Sequence, residues 1–109
     1  FVRVLRFNGT AVYGAFDNDA LAAMVTLHLL PNVVWDARPY ALIENVITAP
    51  EKQRRGFGRL AMQAAIDAAW AADAYKIMLM TGQKRGAQGF YEALVFSSED
   101  KSAMVLRRP

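Results

Sequence analysis

The chain has no cysteine and a single histidine, His28, in 109 residues. Without thiols, neither a disulfide framework nor a cysteine nucleophile is available, and one imidazole is too few for the usual protein-built transition-metal site. No metal is therefore expected. Long apolar runs are missing too. None approaches the roughly 20 residues that span a bilayer, and no basic leader followed by an apolar segment and a cleavage site opens the chain. A soluble, cytoplasmic protein away from membranes is the expectation. A large excess of one charge is also absent: 13 Lys and Arg stand against 10 Asp and Glu, for a net charge of +3. Four of those cations, Lys52, Arg54, Arg55 and Arg59, fall in one short stretch, and without them the balance turns slightly acidic. A nucleic-acid binder spreads its cations along a face to follow a backbone, whereas one tight cluster suits a compact polyanion such as a nucleotide diphosphate. Nucleic acid is not an expected partner.

What the chain does have is apolar surface to bury. Hydrophobic residues make up 54% and charged residues 21%, which suits a folded globular chain forming a single domain over residues 1–109. Residues Phe1 to Asn8 read equally as a strand or as the last turns of a helix. Thr10 to Phe16 reads as a strand, Asp17-Asn18-Asp19 as a turn, and Ala20 to Leu30 as a second strand in which Val25, Leu27 and Leu29 alternate with Thr26 and His28, so a β-hairpin is expected. Asp36 to Pro39 is a connecting loop. Tyr40 to Thr48 is a nearly continuous apolar strand interrupted by Glu44 and Asn45, and such a run predicts a central position covered on both faces. Leu60 to Ala74 carries eight alanines and no Gly or Pro, which predicts a firm helix with Met62, Ala65, Ile66 and Ala69 on its sheet side and Arg59, Gln63 and Asp67 facing water. Lys76 to Thr81 is the next strand, Ala87 to Leu94 a short helix, and Ser102 to Arg107 a closing strand. The strand, helix, strand order implies a right-handed crossover and a parallel pair. The fold class is α+β: a mixed, mostly antiparallel sheet with one parallel strand pair and flanking helices.

The stretch Gln53-Arg54-Arg55-Gly56-Phe57-Gly58-Arg59 falls between that central strand and that helix. The first turn of a helix offers N–H groups without intrahelical partners and the positive end of the peptide dipole. Gly56 and Gly58 have no Cβ to keep a ligand away and tolerate φ > 0, while Arg54, Arg55 and Arg59 add charge-assisted donors. Read from residues alone, the stretch is either a phosphate cradle or a strand-to-helix turn whose glycines are steric and whose arginines are solvated. Neither the P-loop nor the dinucleotide-binding glycine pattern is present.

Three segments in order resemble the GNAT superfamily of acyl-CoA-dependent N-acetyltransferases. Gln53-Arg54-Arg55-Gly56-Phe57-Gly58 is similar to the family's pyrophosphate motif, Glu44-Asn45-Val46-Ile47-Thr48 to its fourth strand, and Gly89-Phe90-Tyr91-Glu92-Ala93-Leu94-Val95-Phe96 to its Phe-Tyr-Glu segment. The resemblance runs from about Thr10 to the end. Two positions depart from it: Val95 stands where the family has a glycine, and Lys84 where many members have an asparagine.

The resemblance implies acetyl transfer from acetyl-CoA, as co-substrate, to a primary amine of a small molecule or peptide, by direct attack in a ternary complex. It places pantetheine along the backbone of Val46, Ile47 and Thr48, and the diphosphate on Gln53, Arg54, Arg55, Gly56, Phe57, Gly58 and Arg59, with Lys84 as a further phosphate contact. It makes Tyr91 the acid toward the thiolate and Glu44 the base acting through water. Core packing of Tyr91, and a salt bridge or solvent-facing position for Glu44, are the structural alternatives. Dimerisation is common in the resemblance. In another functional class, a domain of this fold that binds acyl-CoA as a sensor or interaction module without turnover fits the same motifs.

Overall fold

The computed structural model describes residues 2–82 and 86–109. They form two compact units, Phe1–Leu79 and Met80–Pro109.

In the first unit, the segment before the hairpin is a short helix, α1 (Val2–Arg6), which resolves the ambiguity left by its composition. Strands β1 (Thr10–Asp17) and β2 (Ala20–Leu30) pair antiparallel. The turn between them needs a left-handed residue, and Asn18 supplies it at φ 56°, a conformation that asparagine adopts more readily than most residues. β3 (Tyr40–Thr48) returns antiparallel to β2, and β4 (Ile77–Leu79) lies parallel to β3, giving the order β1-β2-β3-β4. The parallel pair is reached through α2 (Phe57–Ala71), as a parallel neighbour requires a long crossover.

The helix starts three residues earlier than the alanine run suggests. Gly58 therefore belongs to its first turn and not to the loop, while Gly56 is the N-cap at φ 89°. Ala61, Met62, Ala65 and Ala69 are buried, and Ile66 only partly so. These small side chains let α2 lie close on β1, β2 and β3, over Val25, Leu27, Ala41 and Ile43. The largest fully buried side chains are Leu27, Ile43, Met62 and Val25, each stabilising the fold by about 1.5–3 kcal/mol on apolar burial alone. Arg59, Gln63 and Asp67 face water, with Gln63 Nε2 donating to Asp67 Oδ1 at 2.9 Å.

β3 has strand neighbours on both sides over its first half, but it is not covered on both faces. Ala41 and Ile43 are buried, whereas the intervening side chains are half-buried and Asn45 and Ile47 are exposed. Helix α2 covers one face only, and an apolar run was the wrong cue for a second layer. The amino end of β3 is fixed by side chains. Trp35, in a short 3₁₀ turn, stacks on Tyr75 at 5.7 Å, Lys76 Nζ lies over the rings of Tyr40 and Tyr75 at 5.5 and 5.3 Å, and Arg38 pairs with Asp73 at 3.1 Å.

The second unit holds α3 (Gln88–Glu92), where Tyr91 meets Phe90 and Phe96 edge-on at 5.1 and 6.3 Å. Val95, in the turn after α3, is left-handed at φ 71°. The expected closing strand, Ser102 to Arg107, does not form. Met104 and Leu106 are 92% and 99% exposed. The apolar run Ala103-Met104-Val105-Leu106 becomes a strand only with a ladder partner, and none pairs with it among the described residues. No helix of the described residues is long and apolar enough to cross a membrane.

Candidate functional site

Between β2 and β3 the ladder runs Thr26↔Glu44 and then Met24↔Ile47, so β3 carries one more residue than β2 over this interval. The extra residue makes a β-bulge. Asn45 stands at its centre at φ 54°, and neither Asn45 nor Val46 has a ladder partner in β2. On the other side, β4 pairs only with Ala41, Leu42 and Ile43. From residue 44 onward, the β4 side of β3 thus has no strand against it among the described residues, an open edge of the kind that accepts an extended ligand. Val46 and Thr48 are half-buried along this stretch and Ile47 is 55% exposed. In a regular strand Glu44, Val46 and Thr48 would share a face; the bulge instead puts Glu44 with Ile47. The signal for it was an asparagine after a glutamate in mid-strand, a residue suited to the left-handed conformation.

Glu44 is half-buried and directly across from Thr26. Among the described residues no cation lies within salt-bridge distance of it. His28 is two residues along β2 from Thr26, with its Nδ1 2.8 Å from Thr10 Oγ1. Trp35 and Tyr40, near the loop before β3, belong to the aromatic cluster at the far end of that strand from the glycine turn.

The chain leaves β3 through a 3₁₀ turn, Pro50–Lys52, whose Lys52 N–H donates to Ala49 O at 2.9 Å, and reaches α2 through Gln53, Arg54, Arg55 and Gly56. Two of these residues are left-handed, Gly56 as expected and Arg54 at φ 63°. A Cβ added at Gly56 would meet nothing within 4 Å, so glycine is required there by φ and not by crowding. No side chain caps α2, no acid lies in its first turn, and the N–H groups of residues 54–59 have no main-chain partner among the described residues. Arg54 and Arg59 are exposed beside this positive helix end, where cations are disfavoured and an anion is favoured.

Arg55 is engaged differently. Its guanidinium lies 3.4 Å from Asp17 Oδ2 and 5.3 Å from the centroid of the Phe57 ring, and Lys52 Nζ donates to the same Asp17 oxygen at 2.7 Å. The hydrogen bond from Lys52 holds the Asp17 carboxyl below its ordinary value of 3.8, aided by the charges of Lys52 and Arg55 and opposed by partial burial. Asp17 ends β1; it was read as a turn residue and carried no functional signal in the sequence. Gln53 and Phe57 flank the loop, Gln53 exposed and Phe57 half-buried. Tyr91 stands in the second unit, half-buried among Phe90 and Phe96. Lys84 lies outside the described residues. Among the described residues no three metal-ligating side chains cluster.

A model of the acetyltransferase (GNAT) family matches residues 3–96. None of the curated proteins matches. Among solved structures, a protein of Agrobacterium tumefaciens str. C58, named as an acetyltransferase with no substrate stated, is 38% identical, with a TM-score of 0.92 over 99% of this chain and 75% of that one. A transcriptional regulator from Bacillus halodurans C-125 is 21% identical, with a TM-score of 0.87 over 98% of this chain and 72% of that one. An aminoglycoside N-acetyltransferase solved in complex with CoA is 15% identical, with a TM-score of 0.81 over 99% of this chain and 83% of that one. At such identities the last two are similar in fold alone.

Proposed function

The chain belongs to the GNAT family of acetyltransferases, and from that premise we propose that it transfers an acetyl group from acetyl-CoA to a primary amine of a small molecule or peptide, by direct attack in a ternary complex. One observation carries the reading. Among the described residues, helix α2 opens without a cap or an acid, its leading N–H groups have no main-chain partner and two exposed arginines lie beside them, at the end of a strand with no neighbour on its outer edge. A diphosphate satisfies the N–H groups and relieves the cations in one step, and the open edge receives an extended pantetheine arm by main-chain hydrogen bonds.

In this proposal the N–H groups of residues 54–59, with Arg54 and Arg59, hold the diphosphate, and Gln53, Gly56, Phe57 and Gly58 shape the loop. Val46, Ile47 and Thr48 align the arm. Bound acetyl-CoA supplies an activated thioester. Glu44 takes the proton that the amine loses, through a water, while the Val46 N–H stabilises the negative oxygen that develops on the carbonyl. Tyr91 returns a proton to the departing thiolate. Lys84 meets a phosphate. The setting is cytoplasmic.

Calorimetric titration with acetyl-CoA, with ATP and a short DNA duplex as comparators at near-physiological salt, tests the site. One-to-one binding of acetyl-CoA alone is expected, reduced in Arg54→Ala and Gly56→Pro. An amine screen then tests turnover. Tyr91→Phe and Glu44→Gln are each expected to lower kcat about 10²-fold or more while acetyl-CoA still binds. Unchanged rates in both variants would remove the assigned roles.

A further inference from the structure

We infer that Asp17 is a positioning residue of the anion loop: its carboxylate draws Lys52 and Arg55 onto the β1–β2 turn, so that the N–H groups of residues 54–59 are presented in one geometry. The inference rests on the proposed cofactor site.

The loop between β3 and α2 is held to the hairpin at two points. The first is main-chain. The β1–β2 register passes from Ala15↔Ala23 to Phe16↔Leu21, so Ala22 is an extra residue on β2, and its carbonyl accepts the N–H of Ala49 at 2.8 Å, just where the loop begins. The second is ionic. A single Asp17 oxygen takes Lys52 at 2.7 Å and Arg55 at 3.4 Å. Asp17 and Lys52 are each about four-fifths buried at the side chain, with 24% and 21% exposed. Lys52 and Arg55 bracket Gln53 and Arg54, and the next residue is the Gly56 N-cap. Arg54, inside this span, is left-handed at φ 63°, a conformation that a non-glycine residue in a loop keeps only when its surroundings hold it. A carboxylate beside an anion site repels the anion, so its position there has to be explained by what it holds in place.

That opposition gives a test with a sign. If Asp17 acts only through its charge, Asp17→Asn removes a repulsion and acetyl-CoA binds more tightly. If Asp17 positions the loop, the same variant binds acetyl-CoA more weakly, by about tenfold or more. It also raises KM for acetyl-CoA while kcat and the KM for the amine stay close to wild type. Asp17→Glu, which keeps the carboxylate, recovers most of the affinity. Amide hydrogen exchange in the free protein is the ligand-independent readout. Asp17→Asn and, from the other side of the pair, Lys52→Gln are expected to speed exchange at Ala49, Lys52 and Gln53, the hydrogen-bonded amides of this stretch, and to leave β2 and α2 protected. Unchanged exchange in both variants, or tighter acetyl-CoA binding by Asp17→Asn, overturns the inference. Inorganic pyrophosphate separates the two readings. If wild type binds pyrophosphate but not acetyl-CoA, the cofactor assignment fails, and the inference is judged on whether Asp17→Asn weakens pyrophosphate. If wild type binds neither, both fail.

Discussion

The two halves of β3, Tyr-Ala-Leu-Ile over residues 40–43 and Glu-Asn-Val-Ile-Thr over residues 44–48, have different duties. Over residues 40–43 the strand is laddered on both sides, buried at alternate positions against α2, and pinned at its start by Trp35, Tyr40, Tyr75 and Lys76. Over residues 44–48 it bulges on the β2 side and has no strand on the β4 side among the described residues. A sheet need not be irregular throughout to present backbone groups to a ligand. One inserted residue, and one neighbouring strand that stops early, convert half a strand from scaffold to candidate site.

The comparison can be broken most severely in the scaffold half. Ile43 is 2% exposed, and Ile43→Ala is expected to destabilise the fold by about 2–5 kcal/mol through lost burial and a cavity. Ile47→Ala, at 55% exposure, should fall within about 0.5 kcal/mol. Urea denaturation of both variants checks the contrast, and equal losses would mean that the carboxyl half is a core element too. Next in size is the bulge. Asn45 is left-handed, so a β-branched Asn45→Val is expected to cost about 1–2 kcal/mol, whereas Asn45→Gly is tolerated. If valine is accepted without loss, β3 runs straight and the open half has no bulge.

Val95 extends the contrast to the second unit. Its φ of 71° is the conformation that the family's glycine serves, and its side chain is 91% exposed, so burial does not offset the strain. Val95→Gly is expected to stabilise by about 1 kcal/mol in the same assay. A loss would show that the valine is needed for contacts. The smallest effect is the acid response of Asp17, whose pKa is lowered mainly by the Lys52 hydrogen bond. A depressed carboxyl contributes stability that is complete above its ordinary value of 3.8 and is lost as pH falls through the lower folded value. The stability difference between wild type and Asp17→Asn should therefore be flat from pH 7 to 5 and shrink below 3.8. A difference that grows on acidification would contradict the pairing.

Element order, the hairpin, the parallel crossover and the helix face were legible because each depends on local periodicity and on turn residues with definite conformations. The closing strand was not, since residues 102–107 carry strand composition without a partner, and pairing is a property of two segments. For the site, the glycine motif located the loop. What it did not disclose was that Arg54 shares the left-handed geometry with Gly56, or that Arg55 is occupied by a carboxylate 38 residues earlier in the chain. Those facts depend on tertiary proximity, to which no spacing within the motif refers.

The bulge at Asn45 also sets a rule of parity for β3. Before it, odd-numbered residues such as Ala41 and Ile43 point to the helix and even-numbered ones away; after it, the assignment reverses, because Glu44 and Ile47 share a face. Deleting one residue there would leave the composition almost untouched and turn every following side chain over, so a cofactor arm along 46–48 would meet the opposite set of groups. In variants of this strand a missing residue should therefore disturb the site more than a changed one, and length is the more constrained quantity at this position.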